Sequence, residues 1–139
     1  MILMGVDFGT ARVGVALLDD GLAVAAAPLA TVAAKARQQL VERLCALARQ
    51  HGAEMLVVGI PLAPDGGDKG LRASQARNLA RQLEAVSGLP TILQDERDSS
   101  HEALERLIAA GVPMKKRAER VDEMAAAVIL DRFVQSRRK

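Results

Sequence analysis

The pattern of apolar and polar positions predicts nine elements along the chain. Residues 1–6 are an apolar run that stops at Asp7, and a second run over 12–18 begins after Gly9-Thr10, so two strands are expected. Asp19-Asp20-Gly21 is a tight-turn signal, and a weaker third strand is expected over 22–25. Leu40, Val41, Leu44, Leu47 and Ala48 recur at helical spacing, which predicts a helix over about 35–51 with Gly52 as its stop. The continuous apolar run over 55–60 ends at Pro61, the pattern of a strand covered on both faces.

A polar loop over 61–70 follows, at the end of a central strand, where open α/β sheets place ligands. Ala76, Leu79, Ala80, Leu83 and Val86 form the inner stripe of a second helix, closed by Gly88 and Pro90. Residues 91–94 read as the last strand. Ser99-x-x-Glu102 matches a capping box, so a third helix is expected from about Ser100 to Gly111. Residues 112–120, with Pro113 and a basic run, read as a mobile loop before a final helix over about 120–136, which places Asp122 in its first turn.

The order β-β-β-α-β-α-β-α-α implies an α/β fold: a three-strand antiparallel meander plus two parallel strands in a mixed five-stranded sheet flanked by helices. With strand four beside strand one and strand five beside four, Asp7 and the Asp95-Glu96 pair emerge at one end of the sheet. Asp122 reaches that end if the last helix packs across it.

Composition narrows the chemistry. A chain of 139 residues, half of them hydrophobic, is expected to form one domain over 1–139 with a single core. No stretch has the apolar length of a membrane span and the apolar start lacks a preceding basic region, so a soluble cytoplasmic protein that does not engage membranes is expected. The one cysteine, Cys45, lies on the apolar side of a helix and reads as buried and inert. Two Phe with no Tyr or Trp leave no platform for base stacking, so nucleic-acid contact would run through charge. Net charge is only +2, but Lys115, Lys116, Arg117 and Arg120 cluster, and Arg137-Arg138-Lys139 close the chain. Arg77 and Arg81, four residues apart, are placed to touch a phosphate backbone together.

Carboxylates converging without histidine or cysteine make a hard oxygen site that suits Mg²⁺ or Mn²⁺. A pair of such ions would stabilise the attacking and leaving oxygens of phosphodiester cleavage. Asp7, an acid of the Asp95-Glu96 pair and Asp122 are the candidates. Taken singly, Asp122 also reads as a helix-dipole partner, Asp95 as a turn residue and Glu96 as an ion-pair partner of Arg97 or Lys116. His101 falls at the rim of such a site, and His51 near a helix end.

Four linked stretches carry a resemblance: Val6-Asp7-Phe8-Gly9-Thr10-Ala11-Arg12-Val13-Gly14-Val15-Ala16; Val58-Gly59-Ile60-Pro61-Leu62 with Asp65-Gly66; Asp95-Glu96-Arg97 with Ser99-Ser100; and Val121-Asp122 before Ala125-Ala126 and Ile129-Leu130. In order and spacing the chain resembles the YqgF family, also called RuvX. That resemblance implies a ribonuclease H-like fold related to the junction resolvase RuvC, and a metal-dependent nuclease acting in ribosome biogenesis at the 5′ end of precursor 16S rRNA. It implies Asp7, Glu96 and Asp122 as ligands, with Asp95 the alternative to Glu96. Thr10 and Arg97 would contact the scissile phosphate or orient the carboxylates. Position 98 is Asp where the family carries an apolar residue, and Ala11 replaces a frequent basic one. Glu119 stands three residues before Asp122 as a further carboxylate.

The reading is hydrolysis of RNA phosphodiesters at two Mg²⁺ or Mn²⁺ ions, with the backbone held by Lys115, Lys116 and Arg117 and by Arg77 and Arg81, weakening as salt rises. The alternatives are a DNA junction resolvase, a non-cleaving accessory factor of ribosomal particles or transcription, and an actin-like ATPase fragment, whose relatives also open on Asp-x-Gly-Thr. A resolvase needs two sites and therefore a homodimer, whereas end processing needs only a monomer.

Overall fold

Along the first strand the side chains part by parity: Met4 and Val6 enter one hydrophobic cluster, whereas Leu3 enters another on the opposite face. Burial on both faces makes this the central strand. The computed structural model describes residues 1–9, 11–22, 25–61 and 70–137. Its elements are β1 (Ile2–Phe8), β2 (Arg12–Asp19), β3 (Ala27–Ala33), α1 (Arg37–Gln50), β4 (Met55–Ile60), α2 (Gly70–Ser87), β5 (Thr91–Asp95), α3 (Ser99–Ala109) and α4 (Met114–Arg137). The sheet order is β3-β2-β1-β4-β5, with β1, β2 and β3 antiparallel and β1, β4 and β5 parallel. This is the mixed sheet that the hydrophobic pattern predicts.

Helices α1 and α2 cover one face through Leu40, Leu44, Leu79 and Leu83, and Cys45 is buried among them. Burial raises the Cys45 thiol pKa, in keeping with an inert core residue. Helix α4 covers the other face through Ala126, Ile129, Leu130 and Phe133, with α3 packed on its outer side. It lies unusually close to the strands. A Cβ on Gly5 would come within 2.5 Å of Leu130 Cγ, one on Gly59 within 2.5 Å of Ile129 Cδ1, and one on Gly14 within 1.8 Å of the Asp122 carbonyl oxygen. The three glycines occupy the α4 face of three adjacent strands, so the missing side chains form the bed of the helix.

Five expectations are corrected. The third strand is Ala27–Ala33, later than the expected 22–25, of which residues 23 and 24 fall outside the described residues: Leu22 is exposed in the turn that follows β2, its N–H bonded to the Asp19 carbonyl, and Pro28 is tolerated because β3 is an edge strand. The capping box does not form. Asp98, in the left-handed region at φ 59°, takes the N-cap position, and Glu102 turns to Arg106 and Arg132. The basic run over 114–120 is helical rather than a loop, because Pro113 stands just before the first turn and starts α4. Asp122 therefore lies two turns inside the helix, beyond reach of the dipole account. Val86, placed on the inner stripe of α2, is 57% exposed near its end.

Asp131 ties this face together. Its Oδ1 accepts the Ala26 N–H at 2.7 Å and its Oδ2 accepts Arg106 Nη1 at 2.7 Å, joining α4 to α3 and to the segment before β3. Asp131→Ala should cost about 2 kcal/mol in urea unfolding. This is less than breaking a fully buried pair, because Arg106 keeps Glu102 as a partner.

Candidate active site

The parallel strands β1 and β5 both end at the edge where β4 gives way to Pro61, and a cavity of about 890 Å³ opens there. Asp7 is the next-to-last residue of β1 and shares the parity of Gly5, so it projects toward α4. Glu96 follows β5 directly, and its N–H bonds to the Ile60 carbonyl at 3.1 Å, extending the β4–β5 pairing by one step. Asp122 is brought in by α4 where that helix crosses Gly14, the residue paired with Asp7. All three carboxylates line the cavity. Asp95 does not: its Oδ1 accepts the Arg97 N–H at 2.9 Å and its Oδ2 accepts Arg97 Nε at 2.7 Å.

Glycine again sets the geometry. Glu96 Oε2 sits where a Cβ of Gly59 would stand, at 2.7 Å, so the central strand leaves a cradle for that carboxylate. The Asp7 and Glu96 side chains are hydrogen-bonded to each other. Burial raises the pKa of Asp7, and the Asp122 charge adds to this, against the Glu96 hydrogen bond and Arg72. Glu96 is pushed up to about 9 by burial first, then by its hydrogen bond to Asp7 and the charge on it. Burial thus favours the protonated form of both carboxyls, and each responds to the charge on the other.

A raised carboxylate pKa has a definite consequence for stability. Between its ordinary value of 4.5 and about 9 the folded state keeps a proton that the unfolded chain releases, so stability falls as pH rises through that window. In metal-free buffer the melting temperature should decline from pH 5 to pH 9. Glu96→Gln should flatten that slope in a thermal-melt series.

Among the described residues, the carboxylate oxygens Glu96 Oε2 and Asp122 Oδ2 are buried without a hydrogen-bond partner. Arg12 Nε stands 3.0 Å from Asp122 Oδ2, within ion-pair range but without hydrogen-bond alignment. Among the described residues no three of His, Cys, Asp and Glu stand close enough to hold a metal ion between them. Within the one cavity Asp7 stands beside Glu96, and Arg12 stands beside Asp122. The donor chemistry nevertheless fits a hard cation: the ligands are all oxygen, and Glu96 Oε2, with no hydrogen-bond partner among the described residues, rests in a glycine cradle.

The other candidates separate clearly. Arg97 and His101 line the cavity, with His101 Nε2 2.8 Å from Glu105 Oε1. Arg77 and Arg81 lie about 7 and 13 Å along α2 from Arg72, away from the cavity, and Arg81 bonds Asn78. Lys115 and Lys116 are exposed on the first turn of α4, about 10 Å before Asp122, while Arg117 donates to the Val112 carbonyl at 3.0 Å. Glu119 is exposed. Thr10 and the loop residues Asp65 and Gly66 fall outside the described residues.

Sequence reasoning gave no role to Arg12 or Arg72, yet both line the cavity. Arg72 Nη2 donates to the Phe8 carbonyl at 2.8 Å, directly after Asp7. One signal was available for it. A basic residue in a first helical turn opposes the dipole, and the first turn of α2 holds no acid.

A family model described as RuvX, Holliday junction resolvase, matches residues 1–136. A relative from Syntrophus aciditrophicus, provisionally named a pre-16S rRNA nuclease, is 38% identical over 136 residues, covering 98% of this chain and 89% of its own. One from Sphingopyxis alaskensis with the same name is 44% identical over 128 residues, covering 92% and 82%. Among solved structures, the RuvC of Thermus thermophilus in complex with a Holliday junction superposes with a TM-score of 0.62 at 13% identity, covering 98% of this chain and 96% of that one. The shared architecture is the ribonuclease H-like fold.

Proposed function

Since the chain belongs to the RuvX family, we propose that this nuclease hydrolyses RNA phosphodiester bonds and matures the 5′ end of precursor 16S rRNA, with Mg²⁺ or Mn²⁺ held by Asp7, Glu96 and Asp122. The observation that carries the reading is the convergence of these carboxylates on one open cavity, where Glu96 Oε2 and Asp122 Oδ2 are buried with no hydrogen-bond partner among the described residues. Bound there, a pair of divalent ions would polarise the phosphate and supply hydroxide at neutral pH. The chain's own part is to place and hold. As ligands Glu96 and Asp7 would be ionised, and Gly59 keeps Glu96 against the sheet. Arg72, fixed by the Phe8 carbonyl, sets a positive charge beside Asp7 to draw in a phosphate. The exposed Lys115 and Lys116 extend that attraction along the backbone beyond the cavity.

The family description favours a second reading, cleavage of a four-way DNA junction. One assay separates them. Purified protein is incubated with precursor 16S RNA, a four-way DNA junction and plain single strands, with Mn²⁺ and with chelator. Metal-dependent cleavage of the RNA at its 5′ side alone supports the proposal. Cleavage of the junction alone, or ATP turnover without cleavage, overturns it, and no cleavage of any substrate points to the accessory-factor alternative.

A further inference from the structure

Arg12 is the first residue of β2 and half-exposed, and its guanidinium is held against an acid that the proposed reaction needs free. Among the described residues Asp122 Oδ2 has no hydrogen-bond partner, and Arg12 Nε at 3.0 Å lacks the alignment of a hydrogen bond. The contact is therefore one of charge, easily exchanged. Arg12 is also anchored at its backbone, where its carbonyl accepts the Gly9 N–H at 3.0 Å, so the side chain can swing while its base stays fixed at the β1–β2 turn. An RNA phosphate entering the cavity offers a guanidinium a bidentate partner better than a misaligned carboxylate.

Building on the nuclease reading, we propose that Arg12 is a positioning residue that neutralises Asp122 until substrate arrives, then transfers to the phosphate and releases Asp122 as a ligand. Metal loading and RNA binding are thereby coupled: each strengthens the other, because both require the Arg12–Asp122 pair to part. The coupling is reciprocal by linkage and should be about tenfold. It also keeps the protein from holding a fully loaded cleavage site in the absence of RNA.

The test is calorimetric titration of Mn²⁺ into the full chain, alone and with a cleavage-resistant phosphorothioate RNA oligonucleotide, so that no turnover enters the readout. The parent should bind Mn²⁺ about tenfold more tightly with the RNA present. Arg12→Gln should bind Mn²⁺ about tenfold more tightly than the parent without RNA and gain nothing from adding it. Arg12→Lys, which keeps the charge, should stay near the parent. Equal Mn²⁺ affinity of parent and Arg12→Gln overturns the proposal, as does an absence of RNA dependence in the parent, which needs no variant to fold. If Asp7→Asn binds Mn²⁺ as well as the parent, the metal-site reading itself fails, and that outcome is distinct from failure of Arg12 alone.

Discussion

Asp7→Asn is expected to lower cleavage by about a thousandfold or more while raising the melting temperature of the metal-free protein. Both changes have one cause. The Asp7 carboxyl is buried beside Glu96 and within the field of Asp122, an arrangement that disfavours its charge and raises its pKa. An amide keeps the size and a hydrogen bond to Glu96 but removes the charge that a divalent ion requires, so transition-state stabilisation is lost. The same removal relieves the cost of holding acids together, a trade between stability and activity. Single-turnover cleavage and thermal melts of one preparation check both halves. A variant that cleaves at the parent rate, or melts lower with activity intact, contradicts this account of the site.

Gly14→Ala is expected to destabilise the fold by more than about 3 kcal/mol and to lower activity with it. The added Cβ would meet the Asp122 carbonyl oxygen at 1.8 Å, its carbon at 2.1 Å and the Glu123 nitrogen at 2.7 Å. These are backbone atoms of α4 and cannot step aside as a side-chain tip can. The helix has to lift from β2, carrying Asp122 away from Asp7, against a typical total stability of only about 5–15 kcal/mol. Gly21→Ala is the control. Among the described residues its Cβ would meet only Asp19 Oδ1, at an ordinary 3.5 Å, and the change should stay within about 0.5 kcal/mol. Urea unfolding of the two variants together separates a packing effect from a general intolerance of alanine.

Much of the fold follows from periodicity. The buried stripe of α1 and the both-faces-covered runs of β1 and β4 are spaced as their elements require. The errors came where local signals compete. Ser99-x-x-Glu102 is a capping box in isolation, but Glu102 has two arginines within reach in the folded chain and Ser99 is buried one step inside the helix. Pro113 reads as a breaker or as a helix start, and only the packing of α4 against the sheet selects the second.

By itself the sequence determined the order of elements, because side-chain period is a local property, and it put acids at two strand ends: Asp7 ends an apolar run, and the Asp95-Glu96 pair closes the last strand, wherever they lie in space. Tertiary structure alone decided which acids meet. Glu96 turns into the cavity over Gly59 while Asp95 is taken by Arg97, and Asp122 arrives because Gly5, Gly14 and Gly59 let α4 settle onto the strands. Arg12 was invisible for the same reason. An arginine at the head of a strand has no role until a helix more than a hundred residues later sets a carboxylate against it.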